Sequence, residues 1–112
     1  MSLVRADKAE IGRVIINLVS NAIKHTREGT EINISAEKIN NELRVAVADN
    51  GEGIPEAERK NIFQRYPTAK RKIGTGLGLY LSKQIIDAHN GKIWFDSEVG
   101  KGTTFYFTLP TA

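Results

Sequence analysis

The sequence predicts an α+β fold: a two-layer α/β sandwich whose mixed, mainly antiparallel sheet carries its helices on one face. Three observations lead there. Two long segments place apolar residues at helical spacing. Two pairs of short segments alternate apolar and polar residues around tight turns. Helices and hairpins interleave along the chain, which favours layers over a bundle or barrel. The 112 residues suit a single domain, assigned to residues 4–112, because Met1-Ser2-Leu3 reads as a chain start and not as a fold element.

The first helix is expected from about Asp7 to Lys24. Asp7 and Glu10 form a capping-box-like start, and Ile11, Val14, Ile15, Leu18, Val19, Ala22 and Ile23 form one apolar stripe. Glu31 to Lys38 and the segment around Leu43, Val45 and Val47 alternate across the Asn40-Asn41 turn, predicting a hairpin. A short helix is expected from Pro55 to Arg65, with proline suited to the first turn. Residues 66–75 read as an irregular loop. A second long helix begins near Gly76, carries Leu77, Leu81, Ile85 and Ala88, and stops at Asn90-Gly91. Lys92 to Asp96 and Thr103 to Leu109 predict a second hairpin across Val99-Gly100-Lys101-Gly102.

Composition narrows the function classes. No apolar stretch approaches the roughly 18–20 residues that span a bilayer. Cysteine is absent, which excludes disulfides and thiolate metal sites and is compatible with a reducing cytoplasm. The net charge of +3 is unevenly placed: residues 59–72 carry Arg59, Lys60, Arg65, Lys70, Arg71 and Lys72 without an acid, and the remainder is −3. One basic segment suits a localised polyanion better than a nucleic-acid groove; a solvated charged loop explains it equally well.

Three features break the local rules of good helices and strands. Asn17, Asn21 and Lys24 share one narrow stripe beside the apolar face of the first helix. An amide oxygen facing a cleft can enter the octahedral oxygen shell of Mg²⁺, and a lysine one turn on can reach phosphate. The stripe also reads as an ordinary polar flank. Asp49-Asn50-Gly51-Glu52-Gly53-Ile54 follows an apolar strand. Its carboxylate can accept a hydrogen bond from an exocyclic amine while the glycines let a flat base approach; alone, it is also good turn chemistry. Gly74-Thr75-Gly76-Leu77-Gly78-Leu79 opens the last helix, where free N–H groups and the dipole favour an anion. It lacks the Gly-Lys-Ser/Thr ending of a Walker loop, and its GxGxG spacing without a directly preceding strand is not a dinucleotide-binding fingerprint.

Together and in order, these segments resemble the GHKL ATPase/kinase superfamily, specifically the catalytic, ATP-binding domain of sensor histidine kinases. Residues 17–26 resemble the N box, residues 49–54 the first glycine box, and Asn61-Ile62-Phe63-Gln64-Arg65-Tyr66 the phenylalanine box. Residues 74–79 resemble the second glycine box, and Gly100-Lys101-Gly102-Thr103-Thr104-Phe105 the closing glycine-threonine turn. The match runs from about Asp7 to Pro110. The resemblance implies ATP and Mg²⁺ as cofactors. It places Asn21 on the metal, Asn17 beside the phosphates, Lys24 on phosphate and His25 near ribose or adenine, where the family usually has an aromatic residue. Asp49 would bind the adenine amine with help from Thr103. Gly51, Gly53, Ile54, Gly74, Thr75, Gly76, Leu77 and Gly78 would line the nucleotide. Arg65 and one or more of Lys70, Arg71 and Lys72 would neutralise the transferring phosphoryl group, with Asn17, Lys24 and Arg65 closest to the chemistry. Residues 66–75 would form a rather short ATP lid.

The family's ATP-hydrolysing branches carry a glutamate where Asn17 stands, and Asn cannot accept a proton at neutral pH, so water activation is disfavoured. A phosphoacceptor histidine followed by an acid is missing; the two histidines are His25 and His89, and His89 reads as a cation at a helix C-terminus. The expected activity is therefore γ-phosphoryl donation from Mg-ATP to a histidine on a separate dimerisation domain, in two-component signal transduction with a response regulator receiver domain. Autophosphorylation by this chain alone is not expected. The expected location is cytoplasmic, with membrane contact only through a parent protein and no nucleic-acid partner. An anti-sigma-type serine kinase and a non-catalytic ATP-sensing module share the same boxes. The family domain normally begins earlier, so an N-terminally truncated form is expected, with an exposed sheet edge able to pair with another copy.

Overall fold

The computed structural model describes residues 7–24, 31–64 and 78–111. The elements run α1 (Lys8–Lys24), β1 (Ile32–Ile39), β2 (Glu42–Asp49), α2 (Glu56–Arg59), α3 (Gly78–Ala88), β3 (Lys92–Glu98) and β4 (Gly102–Pro110). Asp7 starts α1 as the sequence suggests: its Oδ1 accepts the Glu10 N–H at 3.0 Å, and its carbonyl accepts the Ile11 N–H at 2.9 Å.

The described strands form one sheet in the order β1-β2-β4-β3, and all three pairings are antiparallel. The β1–β2 turn has two residues, with Asn40 in the left-handed region (φ 56°), a conformation asparagine tolerates. The β3–β4 turn, Val99 to Lys101, places Gly100 at φ 86°.

Strand alternation sorts the sheet's two faces. Val45 and Val47 of β2 sit opposite Phe107 and Phe105 of β4, which sit opposite Ile93 and Phe95 of β3. These side chains meet Val14 and Leu18 of α1 and Leu79 and Ile86 of α3 in one core. On the other face Trp94 stacks on Tyr106, with ring centroids 5.2 Å apart, and the Arg44 guanidinium lies 5.5 Å from the Tyr106 ring centre. The helices thus cover one face, α1 over β1 and β2 and α3 over β3 and β4.

The expected Pro55–Arg65 helix is shorter than its sequence suggests. After Arg59 the chain continues in tight turns, with Asn61, Ile62 and Gln64 each donating to the carbonyl three residues back. These turns bring neighbouring Ile62 and Phe63 both to the core. Phe63 meets Phe105 edge-on at 6.2 Å and Phe95 at 6.0 Å, arrangements aromatic rings favour. Helix α3 closes with Asn90 at φ 62° and the Gly91 N–H on the Ile86 carbonyl at 3.0 Å, a six-to-one bond that satisfies a terminal carbonyl.

His89 stands at the end of α3, where its Nε2 accepts the Asp7 N–H at 3.1 Å and its Nδ1 lies 2.8 Å from the Ile85 carbonyl. This contact joins the start of α1 to the end of α3, so the two helices run antiparallel. No helix among the described residues is long and apolar enough to cross a membrane.

Candidate functional site

Topology brings the polar segments to one end of the molecule. Helix α3 ends against the Lys92–Thr108 end of the sheet, so its start lies at the opposite end, where Asp49 pairs with Thr103 and Ser97 pairs with Thr103 from the other side. Because α1 is antiparallel to α3, its last turns, with Asn17 and Asn21, arrive at this same end.

The sheet side of the site is built around Asp49. Its Oδ1 accepts the N–H of Gly51 at 2.9 Å and of Thr103 at 3.3 Å, while Oδ2 accepts nothing from the described residues. The half-buried carboxylate is therefore oriented by two backbone donors and keeps one oxygen for a ligand. Thr103 is buried, and its Oγ1 lies 2.8 Å from Ser97 Oγ. Ser97 Oγ also accepts the Ile54 N–H at 2.7 Å and lies 3.3 Å from the Gly102 carbonyl. One serine hydroxyl thus ties together the loop after β2, the end of β3 and the start of β4.

Two glycines are required by this packing. Gly53 has φ 78°, and a Cβ there would meet the Glu98 and Val99 backbone. Gly102 has φ 129°, and a Cβ would run into the Asp49 carbonyl. The loop is held from its other side by the Gly100 N–H on the Glu52 carbonyl at 2.9 Å. Ile54, expected to line the nucleotide, is buried in the core cluster and anchors the loop from within. Its carbonyl accepts Arg59 Nε at 3.1 Å.

The helix side consists of Asn17, which faces the start of α3, and Asn21, one turn further along α1. Asn17 Nδ2 lies 3.3 Å from the Gly78 carbonyl and 3.3 Å from Ser82 Oγ. Asn21 is half-buried and makes no side-chain hydrogen bond to a described residue. A half-buried amide of this kind suits Mg²⁺, which takes one or two protein oxygens alongside substrate phosphates and water. Among the described residues no cluster of three His, Cys, Asp or Glu forms a metal cage.

Lys24 is the last residue of α1. His25, Arg65, Lys70, Arg71, Lys72, Gly74, Thr75, Gly76 and Leu77 lie outside the described residues. Of the expected site residues, the structure brings Asp49, Gly51, Gly53 and Thr103 together on the sheet side, and Asn17 and Gly78 together on the helix side. Sequence reading passed over Ser97 and Ser82. Each had a signal: Ser97 continues the inner-facing alternation of Ile93 and Phe95, and Ser82 shares the buried stripe of Leu79 and Ile86.

The model of the histidine kinase-, DNA gyrase B- and HSP90-like ATPase family matches residues 6–112. The adaptive-response sensory kinase SasA of Crocosphaera subtropica is 46% identical over 111 residues, covering 96% of this chain but 29% of that protein. The chain therefore spans less than a third of that curated relative's length. The catalytic domain of histidine kinase ThkA, in a nucleotide-free form, superposes with a TM-score of 0.85 at 41% identity, over 96% of this chain and 70% of that one. Full-length ShkA in complex with AMPPNP superposes with a TM-score of 0.88 at 29% identity, over 100% of this chain and 24% of that one.

Proposed function

Since the chain belongs to the histidine kinase-, DNA gyrase B- and HSP90-like ATPase family, on the side of the histidine kinase catalytic domains, we propose that it holds Mg-ATP and donates the γ-phosphoryl group to a histidine on a separate dimerisation domain. The observation that carries the proposal is the antiparallel α1–α3 pair. It sets Asn17 against the start of α3, with Asn21 one turn further along α1, at the end of the sheet that carries Asp49 and Thr103. A nucleotide laid across that end meets a base acceptor on the sheet and amides and a helix N-terminus along the helices. The ShkA neighbour, solved with AMPPNP, supports an adenine nucleotide as the ligand.

Roles follow from the chemistry. Asp49 Oδ2 accepts a hydrogen bond from the adenine amine, with its carboxylate held by Gly51 and Thr103. Asn21 Oδ1 is the protein oxygen for Mg²⁺, and Asn17 stands beside the phosphates. Bound Mg²⁺ neutralises charge on the phosphate oxygens. The α3 start and the basic residues Lys24, Arg65 and Lys70 to Lys72 add positive potential where charge develops. Asn17 takes no proton, so water is not activated. The acceptor's imidazole lone pair attacks the γ-phosphorus while the bond to the β,γ-bridging oxygen breaks, leaving ADP. In the parent protein the phosphoryl group then passes to a response regulator.

The test mixes the chain with γ-labelled ATP, Mg²⁺ and a separate dimerisation domain bearing the acceptor histidine. Acid-labile label on that domain is expected only when both proteins are present, with a large loss for Asn21→Ala. Full transfer by Asn21→Ala, or no transfer by the unchanged chain to its own cognate domain, would overturn the proposal.

A further inference from the structure

Ser82 sits where an amphipathic helix normally buries an apolar side chain, between Leu79 and Ile86, and is fully buried. Its hydroxyl donates to the Gly78 carbonyl one turn back, at 2.8 Å. That bond satisfies its proton and leaves oxygen lone pairs for a second partner. The partner comes from the other helix: Asn17 Nδ2 donates to Ser82 Oγ at 3.3 Å and approaches the Gly78 carbonyl at the same distance.

This arrangement fixes which end of the Asn17 amide faces α3. The Gly78 carbonyl can only accept, and the Ser82 proton is already committed to it, so the amide must present its nitrogen. Asn17 Oδ1 is consequently turned away from these two acceptors, and it accepts no hydrogen bond from a described residue. From this geometry we infer that Ser82 is a positioning residue. It clasps the Asn17 amide so that the carbonyl oxygen faces the Mg-phosphate group that Asn21 would hold, and it ties the wall of α1 that carries both asparagines to the first turn of α3. The inference rests on the nucleotide reading of the site, and the clasp itself is a property of the nucleotide-free protein.

Two measurements separate these layers. In ¹⁵N NMR of the nucleotide-free chain, the Asn17 side-chain NH₂ pair, identified by its loss in Asn17→Ala, is expected to lie apart from exposed asparagines. In Ser82→Ala it is expected to move toward them. An unmoved pair overturns the clasp. The second measurement is the gain in ATP affinity on adding Mg²⁺. Ser82→Ala is expected to reduce that gain about fivefold, the effect of one net hydrogen bond, with metal-free affinity little changed. Ser82→Thr, which restores the hydroxyl, recovers it. An undiminished gain, or an equal loss with and without Mg²⁺, overturns the positioning role. If the unchanged chain binds no nucleotide, the nucleotide reading and the positioning role both fall, while the NH₂ signature still judges the clasp.

Discussion

Two backbone donors orient the Asp49 carboxylate, and the proposed adenine contact depends on that orientation. Because Gly51 and Thr103 direct their N–H groups at Oδ1, the substitution Asp49→Asn must keep its amide oxygen on that side and turn its NH₂ outward. A donor then faces the adenine amine, and a guanine carbonyl becomes the better match. Asp49→Asn should weaken ATP binding about tenfold or more, from the loss of a charge-assisted bond, and narrow the preference for ATP over GTP. Competition titrations with the two nucleotides check this. Gly53 is a second residue whose identity the backbone dictates. Gly53→Ala should cost at least about 1–2 kcal/mol from the left-handed conformation alone, before the clash with Glu98 and Val99 is added. A lowered thermal midpoint is the readout, and an unchanged midpoint would show that the loop does not need its glycine.

At the scale of elements, α1 and α3 are fastened at both ends, by Asp7 to His89 and by Asn17 to Gly78 and Ser82. Asp7→Ala removes the side-chain cap on the Glu10 N–H and should destabilise the fold by about 1 kcal/mol in urea unfolding. Phe63→Ala should cost about 3 kcal/mol, since it removes the ring that pins the turns after α2 onto Phe95 and Phe105. These elements were legible to different degrees. The stripe of Val14, Leu18 and Ala22 and the alternation of β1 and β4 are local periodicities, so α1 and both hairpins could be read directly. The early end of α2 could not, because it depends on Ile62 and Phe63 both reaching a core built mostly from distant residues. The boxes around Asp49 and Gly78 were visible as local rule-breaking. Ser82 and Ser97 act through partners 65 and 43 residues away, and only their polarity on inward-facing positions hinted at a role.

On the scale of the whole molecule, the fold places the Asp49 carboxylate, the Asn17 amide and the start of α3 at one end, in a chain that carries a net −3 outside residues 59–72. Residues 59–72 hold six basic side chains and no acid, and the proposal assigns Arg65 and Lys70 to Lys72 of these to the phosphoryl group. The chain spans 29% of its SasA relative, and the proposal assigns to this stretch the holding of the nucleotide. The proposal requires this end of the molecule to bind Mg-ATP and to recognise its adenine. Calorimetric titration of the chain with ATP and with GTP in the presence of Mg²⁺ tests it most directly. Saturable, one-to-one binding of ATP is expected, weakened when Mg²⁺ is removed, with GTP binding far more weakly. No heat at millimolar nucleotide, or equal affinity for ATP and GTP, would contradict it.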